Sequence, residues 1–115
     1  MSEEPRLPAR LEVSGLIRRV AADGGFAAVL QKGDPDAGTI LLVWRENGAN
    51  PRLFERMPSL AGERAWTQIR KQQPENPIEF DDYVSRRGTR DRDAWIVELD
   101  VPNPERFIRL AGNPG

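Results

Sequence analysis

Acid–base or metal chemistry in this chain would have to come from carboxylates, because histidine and cysteine are both absent. That excludes thiol and Ser-His nucleophiles, a histidine general base, the usual zinc sites and any disulfide. Two carboxylate groups are spaced closely enough to consider. Asp34-Pro35-Asp36-Ala37-Gly38 begins like a calcium loop. Such a loop needs further oxygen ligands at alternating positions and a closing glutamate, and none follows. Asp, Pro and Gly are instead what a hairpin turn requires. Glu79, Asp81 and Asp82 form the second group. They fall in the early turns of a predicted helix, where negative charge complements the helix dipole, and Asp82 stands four residues before Arg86. Neither group needs a catalytic role to explain it. No cofactor is expected, and neither is a metal.

Cations and aromatics carry the remaining chemistry. Lys32 and Lys71 are the only lysines, so positive charge here is almost entirely arginine. A GC-rich genome accounts for that bias, and arginine-driven recognition of carboxylate or phosphate is the sharper alternative. Residues 86–93, Arg-Arg-Gly-Thr-Arg-Asp-Arg-Asp, are the densest basic stretch. Asp91 and Asp93 neutralise half of it, and no aromatic is interleaved for base stacking. Trp44, Trp66 and Trp95 all fall on predicted strands, where tryptophans fill cores. Trp66 stands apart because its segment is otherwise polar. With Arg64, Arg70 and Lys71 beside it, and Arg52 and Arg56 on the preceding strand, it forms the candidate interaction surface. Tryptophan and arginine are the residues that most often anchor protein interfaces.

The elements that must position these residues follow from periodicity. Pro8 suits the first position of a helix, and Val13, Leu16, Ile17 and Val20 then mark one helix face. Asp23-Gly24-Gly25 ends it. Residues 26–32 read as a first strand, and residues 33–38 as a turn. Residues 39–46 read as a second strand whose apolar run, residues 40–44, implies burial on both faces and a central position. Residues 47–51 read as a turn, 52–57 as a half-exposed strand, and 64–71 as a fourth strand or a short helix. Asn76, Pro77 and Glu79 have the pattern of a capped helix start, and Gly88 that of a C-cap. Residues 94–101 read as a final strand with Trp95, Val97 and Leu99 on one face. Phe107, Ile108 and Leu110 are suited to docking a short tail.

This order predicts an α+β fold: an N-terminal helix, an antiparallel meander of three to four strands, a second helix and a final strand, with the helices on one face of the sheet. The length of 115 residues suits a single domain. We expect it to occupy residues 8–110, between a flexible leader (1–7) and a flexible tail (111–115). The formal net charge of −1 gives no general attraction to nucleic acid or membrane. With no apolar signal segment and no run able to span a bilayer, a cytoplasmic location is expected.

Four segments carry a family resemblance: residues 6–11 (RLPARL), 25–34 (GFAAVLQKGD), 38–43 (GTILLV) and 93–100 (DAWIVELD). Together they resemble the short alphaproteobacterial family known as domain of unknown function 1491. The resemblance spans about residues 6–101 and is thinnest over residues 51–77. It implies a bacterial cytoplasmic protein and brings no activity, ligand or catalytic residue with it. The reading is therefore a non-catalytic protein-interaction module, its partner an acidic protein or a second copy of the chain. An arginine-lined module for an acidic ligand or nucleic acid is the alternative. An enzyme working with carboxylates, Tyr83 and arginine ranks third.

Overall fold

The computed structural model describes residues 8–58 and 64–103. The predicted leader, the tail, and Phe107, Ile108 and Leu110 lie outside them. Helix α1 (Ala9–Ala22) is followed by β1 (Phe26–Gln31), β2 (Ile40–Glu46), β3 (Ala49–Pro58), β4 (Arg64–Lys71), α2 (Pro77–Arg90) and β5 (Trp95–Asp100). The five strands make one mixed sheet in the order β1-β5-β2-β3-β4. The fold is α+β, and residues 64–71 form a strand.

The meander is β2-β3-β4, with each neighbour antiparallel. β1 is not part of it. β5 inserts between β1 and β2, antiparallel to the first and parallel to the second. The physical reason is apolar content. Trp95, Ile96, Val97 and Leu99 are all buried, so β5 is suited to an interior slot covered on both faces. β1, with two alanines, takes the edge.

The two helices lie on opposite faces, which corrects the expectation of a single helical layer. In β2 the five residues from Ile40 to Trp44 are buried without a break. Alternate side chains of a strand point to opposite faces, so such a run needs two covers. Ile40, Leu42 and Trp44 join Trp95, Val97, Leu99, Phe54 and Trp66 beneath Ala9, Val13, Leu16 and Val20 of α1. Leu41, Val43, Leu53 and Ile96 pack with Phe80 of α2, with Ile69, Tyr83 and Val84 around them.

Local chemistry sets the joints. α1 has no side-chain cap. Instead Ala9 and Arg10 donate their amides to the carbonyls of Asp36 and Pro35, at 3.1 and 2.9 Å. The loop after β1 thus takes up two of the donors that a helix start leaves unpaired. Between β2 and β3 the reversal needs only Asn47 and Gly48, both at positive φ (52° and 79°), the two-residue hairpin geometry that Asn-Gly favours. β3 therefore begins at Ala49, earlier than the predicted strand.

α2 departs from the sequence reading at both ends. Asn76 makes no side-chain cap bond, and the Glu79 carboxylate pairs with Arg70 at 2.9 Å instead of closing a capping box. Gly88 is not the C-cap, since the helix runs through it to Arg90. Glycine stands there because the sheet comes close: a Cβ would lie 2.6 Å from Oε1 of Gln31 and 3.0 Å from Ile96.

Candidate interaction surface

The six residues singled out from sequence do not form one exposed patch. Trp66 is only 6% exposed and sits in the core beneath α1, so it is not available as a surface anchor. Arg56 lies over its ring, 5.2 Å from the centroid, and pairs with Glu12 of α1. Arg52 covers Trp44 at 4.0 Å and pairs with Glu46 at 3.5 Å. These arginines act as lids on core tryptophans, with their charge met by carboxylates of the same chain. Arg70 belongs to the other face. The ladder between β3 and β4 slips at Leu53/Phe54, and Arg70 stacks on Tyr83 of α2 at 3.8 Å. Arg64 lies on β4, and Lys71 is exposed at the end of that strand.

A polar cluster ties α2 to this end of the sheet. Arg87 donates to the Tyr83 hydroxyl at 3.4 Å and pairs with Glu55 of β3 at 3.1 Å. The hydrogen bond from Arg87 lowers the Tyr83 pKa from its ordinary 10.0 against the opposing effect of burial, with Arg70 adding to the lowering. The carboxylates considered for chemistry are likewise dispersed among structural tasks. Asp34 Oδ1 accepts the amides of Asp36 and Ala37, which, Ala37 first, hold its pKa below the ordinary carboxylate value. Asp36 pairs with Arg10 at 2.9 Å. Among the described residues no three acidic side chains converge as a metal site requires.

The two sheet edges differ in kind. β4 carries Arg64, Arg70 and Lys71, and cations are a usual protection for an edge strand. β1 has no charge from Phe26 to Gln31. Phe26, Val29 and Leu30 are 59%, 42% and 53% exposed. The ladder to β5 slips between Val29 and Gln31, which brings Gln31 opposite Ile96 on the α2 face. Alternation along β1 already places Leu30 there, with Phe26 and Ala28. Leu30 forms one lip of a groove of about 310 Å³. Val43, Phe80, Val84 and Ile96 give the groove its apolar floor, and Asp81, Ser85 and Thr89 line its α2 side. Arg45, paired with Glu98, closes the β2 side.

Gln31 fixes the groove's far end. Its side-chain amide donates to the carbonyls of Gly88, Asp91 and Ala94 at 3.2, 3.3 and 2.9 Å. One side chain thus ties β1 to the end of α2 and to the turn before β5.

Sequence reasoning placed the candidate surface at Trp66 and its neighbouring cations, and took β1 as the hairpin neighbour of β2. The signal was present in the connection. Eight residues separate β1 from β2, where strands paired as a tight hairpin are joined by two to five.

Comparisons with known proteins agree with this fold. The DUF1491 family, described as "Protein of unknown function", matches residues 7–109. A crystal structure of a DUF1491 family protein from Caulobacter crescentus CB15 is 32% identical, with a TM-score of 0.74 over 90% of this chain and 95% of that one. A solution structure of a protein from A. tumefaciens is 30% identical, with a TM-score of 0.76 over 96% and 98% of the two chains. An NMR structure from C. crescentus CB15 gives 32% and 0.71 over 91% and 94%. No curated protein matches the chain.

Proposed function

The chain belongs to the DUF1491 family, and on that footing we propose that it is a non-catalytic protein-interaction module whose binding element is the edge of β1 with the adjoining groove. One observation carries the reading. β1 is an edge strand with an uncharged run and three large apolar side chains more than two-fifths exposed. An edge of that kind is a template for another chain. An extended segment added to it would gain main-chain hydrogen bonds, and its alternate side chains would lie over the groove and select the sequence bound.

The arginine-lined alternative loses support for a specific reason. Arg45, Arg52, Arg56, Arg70 and Arg87 each face a glutamate of the same chain. A phosphate or an acidic partner would have to displace those carboxylates. The C. crescentus and A. tumefaciens relatives support a bacterial setting, and we keep the cytoplasm as the proposed location.

The test is a display selection for short extended peptides, followed by titration into isotope-labelled protein. Shifts should concentrate on residues 26–31 and the groove, be lost in Val29→Lys, and change little with salt. Shifts centred on Arg52, Arg56 and Lys71, with affinity falling steeply as salt rises, would favour the arginine-lined reading instead.

A further inference from the structure

We infer that the natural occupant of the β1 edge is a second copy of the same chain, docked antiparallel about a two-fold axis at Ala28. The inference rests on the interaction-module reading and names its partner.

A two-fold contact requires a surface complementary to itself, and β1 meets that condition in one register. With Ala28 opposite itself, Phe26 stands opposite the partner's Leu30, and Ala27 opposite the partner's Val29. Residues directly opposite in an antiparallel pair share a face. Phe26 and Leu30 both lie on the α2 face, since they stand four residues apart on one strand and Leu30 lines the groove there. Val29 and Ala27 both lie on the α1 face, since their ladder partners Val97 and Leu99 pack beneath α1. The two most exposed side chains of β1 therefore cover each other twice across the axis, each Phe26 resting at the lip of the partner's groove.

Charge agrees with this arrangement. No charged residue meets another between Phe26 and Leu30. Asp23 and Lys32 flank β1 with opposite charges, so an antiparallel pair brings unlike and not like charges toward each end. The other edge fails the same requirement. β4 against a second β4 would pair two strands that each carry Arg64, Arg70 and Lys71. β1 against β4 would be a heterologous contact, which propagates without closing. Pairing at β1 instead joins two five-stranded sheets into one, with the cationic edges outermost.

Sedimentation of the wild-type chain should show a dimer over roughly 10 µM to 1 mM, the range suited to a modest interface. The pair Phe26→Lys, Leu30→Lys should be folded by circular dichroism and monomeric throughout. The register is read separately. The chain has no cysteine, so Ala28→Cys places a single thiol at the axis, where opposed Cα atoms are near enough for a disulfide. Mild oxidation should convert Ala28→Cys to a covalent dimer and leave Thr67→Cys, on β4, monomeric. A wild type monomeric at every concentration would overturn the inference, while peptide binding at β1 would still stand or fall by its own titration. A dimer that Ala28→Cys does not cross-link, or one that survives the double lysine variant, would overturn it equally, because the copies would then meet elsewhere.

Discussion

The side chain of Gln31 occupies the space that any side chain at position 88 would need: a Cβ on Gly88 would stand 2.6 Å from Gln31 Oε1. The same amide group donates to the Gly88 carbonyl at 3.2 Å. An edge strand and a helix on one face are therefore locked by a pair in which one residue must be long and polar and the other must have no side chain.

Gly88→Ala should destabilise the fold by about 1–3 kcal/mol, the usual cost of overpacking, although alanine is the better helix former. Gln31→Ala should also cost about 1–3 kcal/mol, because carbonyls lose their donor. In the double variant the added methyl gains the space that Gln31 vacated. Its loss should fall short of the sum of the two, as expected for residues in contact. Urea denaturation midpoints measure all three.

The placement of helices on both faces predicts that adjacent residues of β2 are equally intolerant. Leu41→Ala and Leu42→Ala should each lose about 2–5 kcal/mol, the range for core truncation, since both side chains have no exposure. If one of them unfolded at the wild-type midpoint, one helical layer would be missing.

Asn76→Ala tests the start of α2. With no side-chain cap bond to lose, its stability should stay within about 0.5 kcal/mol of wild type, as for ordinary surface changes. A true N-cap would cost about 1 kcal/mol, so thermal or urea unfolding separates the two.

Tyr83 is the only tyrosine, so its phenolate absorbance can be followed directly. It should ionise below pH 10.0, because Arg87 and then Arg70 favour the charged ring oxygen over the neutral one. Arg87→Gln should move the transition upward. The linked effect on stability has a definite sign. A depressed folded-state pKa adds stability that is complete above pH 10.0, the ordinary value, and is lost as pH falls through the depressed value. Urea midpoints across alkaline pH should show that gain in wild type and a smaller one in Arg87→Gln.

Trp44→Phe should cost more than its lost volume implies. The indole Nε1 donates to the buried carbonyl of Val101 at 2.7 Å, and a buried carbonyl left without a donor costs about 1–3 kcal/mol. Equilibrium unfolding measures the total loss. Amide exchange of residues 99–101 should quicken first if the end of β5 depends on this bond.

Element identity was legible in the sequence because it depends on neighbours along the chain. The i, i+3, i+4, i+7 stripe of Val13, Leu16, Ile17 and Val20 is a property of one helix, and Asn47-Gly48 of one turn. Burial of residues 40–44 on both faces was legible too, and it already required two covering layers. Tertiary structure decided what depends on distant partners. The choice of β5 over β1 as neighbour to β2 is a competition between strands for a doubly covered slot, and only the assembled sheet resolves it. Glu79 and Arg70 found each other across a helix and a strand, so a capping-box pattern became an ion pair. Gly88 followed the helix-end rule in sequence, but the close approach of Gln31 explains its presence. Trp66 and its arginines had an interface composition, yet a tryptophan in a polar segment is buried whenever its strand alternates toward the core. The uncharged β1 edge became a candidate surface only once the assembled sheet set β1 at its rim, paired to β5 alone.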